Sequence, residues 1–191
     1  MIGLLLLSLG WHSGPDTLPP PVARMESAAV VRAYPQILSA APAQALRIPC
    51  IVPFEKYDAT RITSLYANRY HPILRKMRHH DGLDIGCAVQ PVVTTARGVV
   101  ARTGADKGLG KFVRIMHGNG YETTYGHLSE VWVLPGQILE LGEVLGVAGQ
   151  TGLATGVHLH YEIRKNGRLA DPLDYLLLLY ENAGRLGVSV R

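Results

Sequence analysis

Two Asn-Gly dipeptides constrain this chain more than any other feature. Asn119-Gly120 separates Phe112-Val113-Arg114-Ile115-Met116 from Tyr121-Glu122-Thr123-Thr124-Tyr125, and Asn166-Gly167 separates Ile163-Arg164-Lys165 from Arg168-Leu169-Ala170. A two-residue Asn-Gly loop accepts the positive φ values of a type I′ turn, whose twist matches that of paired antiparallel strands. Each dipeptide therefore predicts a β-hairpin. Between them, Gly136, Gly142, Gly146 and Gly149 punctuate further short apolar runs, and glycine is abundant at 21 of 191 residues. From residue 48 to 180 the chain reads as one predominantly antiparallel β domain. Asp171-Pro172 supplies a cap and a first helical turn, followed by a short Leu-rich helix over residues 173–180 and a tail at 181–191.

Residues 1–47 read differently. Residues 2–11 are an apolar run, far shorter than the roughly 20 residues that span a bilayer. The run can serve as the apolar part of an export signal, although it lacks a basic flank. An uncleaved anchor and a packed N-terminal strand are the other readings. The expectation is export to the cell envelope, periplasmic or secreted, with membrane or envelope association through this run. Residues 12–47 carry Pro19-Pro20-Pro21 and no strong period, an irregular linker or pro-segment with a short helix around residues 26–33.

The net charge of +4 is a mild basic bias. It suits a polyanionic cell wall or membrane surface and is too small to argue for nucleic acid. Cys50 and Cys87 lack zinc-pair spacing; a disulfide in an exported protein and two separate buried thiols are the alternatives.

Seven of the eight histidines fall between His71 and His160, within the β region. In His158-Leu159-His160-Tyr161-Glu162 strand alternation puts both imidazoles on one face, roughly 6–7 Å apart along the chain. One can bind a metal while the other faces the same pocket. In His80-Asp81-Gly82-Leu83-Asp84, His80 and Asp84 would lie roughly 13 Å apart on a straight strand. Gly82 and Gly86 argue against a helix, so both can reach one ion only if the strand bends at Gly82. A catalytic zinc takes three nitrogen or carboxylate ligands and keeps a position for water. No His-Glu-x-x-His is present, which excludes the helical arrangement with a glutamate base. Proton handling then falls to His127 and to whichever of His158 and His160 is not a ligand, since imidazole titrates near neutrality. Zinc would polarise a scissile carbonyl and lower the pKa of its water to roughly 7.

An ordered set of motifs then stands out: Arg69-Tyr70-His71-Pro72, His80-Asp81-Gly82-Leu83-Asp84, His117-Gly118-Asn119-Gly120-Tyr121, Thr124-Tyr125-Gly126-His127-Leu128, Pro135-Gly136-Gln137, Gly149-Gln150-Thr151-Gly152 and Thr155-Gly156-Val157-His158-Leu159-His160-Tyr161-Glu162. Residues 65–175 thereby resemble the lysostaphin/LytM-type zinc endopeptidases, which cut peptide cross-links in bacterial peptidoglycan. The resemblance implies His80, Asp84 and His160 as zinc ligands, and His127 and His158 as catalytic histidines that orient water and stabilise the oxyanion. It also implies a compact twisted antiparallel β-sheet with a substrate groove, and peptidoglycan stem peptides as the partner. One subgroup of the family has lost ligands and activates other wall hydrolases; all five positions are present here, which favours an enzyme.

The rival readings are a non-catalytic wall-binding or activator domain, and a metal-free biotinyl/lipoyl-like module suggested by the glycine punctuation of residues 135–149. Among nearby residues, His79 is expected to point away from His80. His71 and His117 are expected to serve turns or the groove wall. Tyr125 is expected to share a face with His127 as a packing residue, Cys87 to fill a small buried slot, and Glu162 to be either strand surface or a partner of His160.

Overall fold

The computed structural model describes residues 27–54, 62–71 and 75–183. The apolar run at 2–11, the prolines at 19–21 and the last residues of the tail lie outside them. Helix α1 (Ser27–Ala40) and the single turn α2 (Pro42–Ala45) precede the strands. The first half comprises β1 (Ile62–Ser64), β2 (Ala67–His71), β3 (Lys76–His80), β4 (Leu83–Gly86), β5 (Pro91–Val93) and β6 (Gly98–Asp106). There follow β7 (Gly110–Gly118), β8 (Tyr121–Val131), β9 (Ile138–Leu139), β10 (Val144–Ala148), β11 (His158–Lys165) and β12 (Arg168–Ala170). Helix α3 (Leu178–Ala183) closes the described chain.

The main sheet runs β1-β4-β11-β8-β7-β6-β9, with β10 joining β5 to β8 and β12 pairing with β11. All of these pairings are antiparallel. Strands β2 and β3 form a separate hairpin. Both Asn-Gly turns form as expected: Asn119 and Gly120 have φ of 51° and 76°, and Asn166 and Gly167 repeat those values. Strand β11 lies between β4 and β8, and alternation gives it two different faces. Leu159, Tyr161 and Ile163 are fully buried in the apolar core. Each such side chain contributes about 1.5–3 kcal/mol by leaving water. His158, His160 and Glu162 take the other face.

The segment before the domain is more ordered than its composition implies. Helix α1 runs to Ala40 rather than stopping near residue 33, because Val30 and Tyr34, four apart on one helical face, are fully buried in the same core as Cys50 and Tyr161. At the other end Asp171 caps a 3-10 turn at Pro172–Asp174, accepting the Leu173 N–H at 3.0 Å. The α-helix expected over 173–180 begins only at Leu178. Tyr175, Leu176 and Leu178 are all buried, but the Tyr175 and Leu178 N–H groups bond to the Pro172 and Tyr175 carbonyls three residues back, at 3.0 and 3.1 Å, so the chain winds through tighter turns before the α-helix starts. The helix then continues into the expected tail, where buried Asn182 donates to the Leu178 carbonyl at 2.7 Å. Cys50 and Cys87 are not joined by a disulfide; Cys50 is buried and Cys87 half-buried. Among the described residues no helix is long and apolar enough to cross a membrane.

Beneath the sheet lies a polar seam inside the core. The Tyr125 hydroxyl accepts the Thr95 N–H at 3.0 Å, and the Thr95 hydroxyl lies 2.7 Å from that of Tyr161. His117 on β7 belongs to this interior and not to a groove wall. It is fully buried, donates Nδ1–H to the Arg97 carbonyl at 3.0 Å, and sets Nε2 2.7 Å from the Thr123 hydroxyl.

Burial holds the His117 pKa down to about 4, against 6.5 when free. Between those values the unfolded chain carries the extra proton, so stability falls as pH drops through that window. His117→Gln, which keeps a donor and an acceptor, should flatten the pH dependence of the urea-unfolding free energy there by up to about 1.4 kcal/mol per pH unit. An unchanged slope would contradict a neutral buried imidazole.

Candidate metal centre and active site

Strand register brings the site together. His160 on β11 lies directly opposite Asp84 on β4 on one side and Gly126 on β8 on the other. His80 arrives from outside the main sheet, at the end of β3. The chain bends at residues 81 and 82 and re-enters as β4, which turns a 13 Å problem into contact: His80 Nε2 and Asp84 Oδ1 are 3.0 Å apart. Gly82 is required here for space. A Cβ on it would lie 2.4 Å from the Tyr161 carbonyl oxygen and 3.0 Å from the His160 ring.

Three atoms converge: His80 Nε2, Asp84 Oδ1 and His160 Nδ1. The remaining two edges of the triangle measure 3.1 Å (His80 to His160) and 2.9 Å (His160 to Asp84). His80 donates Nδ1–H to the Leu65 carbonyl at 2.8 Å. His160 Nε2 faces Glu162 Oε1 at 3.3 Å. Neutral rings that commit their single N–H outward along these directions would present lone pairs inward to a cation. Two imidazole lone pairs and a carboxylate oxygen, all buried, make a donor set that fits a divalent cation, with a carbonyl and a carboxylate behind the rings to orient them. Tetrahedral zinc with ligands at ~2.1 Å separates them by roughly 3.4 Å, a few tenths of an ångström wider than these edges.

The electrostatics follow the same pattern. Burial works against the Asp84 carboxylate, yet hydrogen bonds from His160 and His80 hold its pKa far below the usual range. Burial alone would lower the His160 pKa, but Asp84 and Glu162 raise it to about 9. Positive charge is favoured at this point, whether a proton or a metal brings it.

Two more imidazoles stand beside the triangle. The His127 and His158 ring centroids are 4.6 Å apart. His127 donates Nδ1–H to the Thr151 carbonyl at 2.7 Å, and His158 donates Nδ1–H to the Gly156 carbonyl at 2.9 Å. His158 Nε2 is 3.7 Å from Asp84 Oδ1, outside the triangle. Burial, reinforced by His158, lowers the His127 pKa to about 4. All five residues line one cleft of about 360 Å³, with Arg78 and Leu109 also on its wall.

His127 does not share a face with Tyr125. Val113 pairs with Tyr125 and Lys111 with Leu128, so β8 carries one more residue than β7 across this interval. The extra residue is a bulge, and His127 sits in it with φ of 60°. Tyr125 therefore points into the core while His127 turns to the cleft. No period-2 reading of the sequence can show this. His79 is exposed as expected, edge-on to Tyr66 at 4.7 Å and with Nδ1 3.0 Å from Asn68 Oδ1. The His71 side chain lies outside the described residues. Residues that no ligand-type reading reached, Leu65, Thr151 and Gly156, act through their carbonyls, which any residue type supplies.

An antiparallel β domain with a His-Asp-His cluster able to hold a divalent metal, flanked by two oriented histidines, defines the class. Residues 78–172 match Peptidase family M23, and the domain they build belongs to that family. The chain is 44% identical over 119 residues to the DD-carboxypeptidase/endopeptidase Mpg of Neisseria meningitidis serogroup B, covering 62% of this chain and 27% of that protein. It thus spans about a quarter of the length of that relative. A zinc-containing peptidase from Vibrio cholerae superposes with a TM-score of 0.59 at 32% identity, over 66% of this chain and 39% of that one. The catalytic domain of the antimicrobial peptidase lysostaphin from Staphylococcus simulans gives 0.54 at 25% identity, over 62% and 96% of the two chains.

Gly82→Ala should push residue 82 and the Tyr161 carbonyl of β11 apart and crowd the His160 ring, lowering zinc affinity by about tenfold or more. Competition against a chromophoric chelator measures it; unaltered affinity would mean that the Gly82 contact does not position His160.

Proposed function

We propose that this domain is a zinc-dependent endopeptidase that hydrolyses peptide cross-links of bacterial peptidoglycan. The observation that carries the reading is the triangle of His80 Nε2, Asp84 Oδ1 and His160 Nδ1, with edges of 3.0, 3.1 and 2.9 Å, beside two histidines whose Nδ1 atoms are already committed. His80, Asp84 and His160 would hold the metal. When bound, zinc supplies Lewis acidity towards a carbonyl and a water of lowered pKa. The peptidoglycan DD-endopeptidase ShyA of Vibrio cholerae, 39% identical over 120 residues that make up 60% of this chain and 28% of that protein, supports the substrate class, and the zinc-containing peptidase supports the metal.

The chain's own residues divide the remaining work. His127 is neutral near pH 7 and has Nδ1–H fixed on the Thr151 carbonyl. Its Nε2 is then the atom that takes a proton from the attacking water and returns it to the departing amine. His158, fixed on the Gly156 carbonyl, in its protonated form donates Nε2–H to the oxygen that gains charge as the amide carbon becomes tetrahedral. At 4.6 Å between centroids the two rings stand side by side, close enough to act on one peptide group. The reading also places the protein in the cell envelope, where its substrate lies.

Incubated with peptidoglycan sacculi, the purified protein should release cross-link fragments detectable by mass, and a chelator should abolish the release. His80→Ala and Asp84→Ala should lose metal and activity together. His158→Ala should keep its zinc and lose roughly 10²–10⁴-fold in rate. Absence of chelator-sensitive release from several wall types would sink the enzyme reading and leave a wall-binding domain. Metal-free His158→Ala together with zinc-loaded His160→Ala would reverse the roles within that pair.

A further inference from the structure

Both candidate catalytic histidines are oriented by one short loop. His127 gives its Nδ1–H to the carbonyl of Thr151, and His158 gives its own to the carbonyl of Gly156. Residues 149–157 form this loop, and its ends are tied where the His158 N–H donates to the Gly149 carbonyl at 3.1 Å. A displaced loop would therefore release both rings at once, and with them the tautomers that leave each Nε2 facing the cleft.

One side chain near the start of the loop, Thr151, ties it to the sheet. The Thr151 hydroxyl accepts the Lys111 N–H at 2.9 Å and donates to the Leu128 carbonyl at 2.8 Å. Lys111 and Leu128 are the register pair immediately after the bulge that carries His127. The hydroxyl thus bridges β7 and β8 at the point where their ladder has been disturbed. The fit is tight: a Cβ on Gly110 would lie 2.3 Å from Thr151 Oγ1. The Leu153 N–H donates to the Gly108 carbonyl at 2.9 Å and docks the rest of the loop on the same turn. From the other side, the His127 N–H donates to the Leu109 carbonyl at 2.6 Å.

A left-handed, non-glycine residue persists only where its surroundings over-determine it. His127, with φ of 60°, is held at its backbone by Leu109 and at its ring by Thr151. We propose that Thr151 is a positioning residue of the catalytic site: its hydroxyl pins loop 149–157, and through the loop's carbonyls it sets the orientation and tautomer of both His127 and His158. The inference rests on the peptidase reading for its consequence in turnover, but not for its consequence in the two rings.

The test uses the zinc-loaded full chain in three forms: parent, Thr151→Val and Thr151→Ser. Long-range proton–nitrogen NMR reads which ring nitrogen of His127 and His158 carries the proton, and sacculus digestion reads turnover. Valine keeps the shape and removes the hydroxyl. It should abolish the single Nδ1–H tautomer at His127, mix the tautomers at His158, and lower turnover roughly 10–100-fold with zinc content unchanged. Serine should restore both readouts. A valine variant with parental tautomers overturns the proposal, as does a serine variant that fails to restore them. If valine prevents folding, Thr151→Ala replaces it in the same comparison. If every variant without the hydroxyl unfolds, Thr151 is a folding residue and the proposal fails. A parent that cuts no peptidoglycan would remove the proposed function, while the tautomer comparison would still decide the role of Thr151.

Discussion

Three ligand-type atoms, two imidazole nitrogens and a carboxylate oxygen, lie within 3.1 Å of one another in the cleft, and much of the surrounding structure holds them there. His80 and His160 each direct their one N–H away, towards Leu65 and Glu162. With a cation in place, what would face inward is electron density from two rings and a carboxylate. Such an arrangement is tolerable in a buried place only when a positive charge answers it. The same demand appears in proton terms as a His160 pKa raised to about 9. Gly82 gives up its side chain so that the His160 ring can lie against the backbone there.

Strand β11 is the element on which chemistry and stability meet. Its odd-numbered residues Leu159, Tyr161 and Ile163 anchor it in the apolar core, and His158, His160 and Glu162 occupy the opposite face. With β4 on one side and β8 on the other, the core residues fix the height of the strand and hence the position of the imidazoles. Because a strand's side-chain period is two, a one-residue slip would bury the histidines in the core and expose the leucine. Core packing therefore specifies the site.

The histidines diverge in charge although they are one residue type. His160, flanked by two carboxylates, is drawn towards the charged form. His127, buried and beside His158, is held neutral with its pKa near 4. Environment pushes similar groups apart and thereby gives them different tasks. His117 shows the same burial effect with no site around it, so a depressed pKa alone does not mark function; position in the cleft does.

The local features were legible from residues alone. Asn-Gly turns, the alternation of 158–163 and the need for a bend at Gly82 all follow from backbone sterics over a few residues. The grouping of His80, Asp84, His127, His158 and His160 came from the ordered motifs and the resemblance they carry, since ligand chemistry alone leaves His71, His79 and His117 equally eligible. Tertiary structure decided what depends on distant partners. Helix α1 forms because Val30 and Tyr34 find the core, and the C-terminal α-helix starts late because the Tyr175 and Leu178 N–H groups bond to carbonyls only three residues back. The bulge at His127 separates it from Tyr125 because β7 and β8 differ there by one residue. The carbonyls of Leu65, Thr151 and Gly156 carry no mark in the side-chain code, since every residue has one. Only the folded path of the backbone determines which of them meets an imidazole.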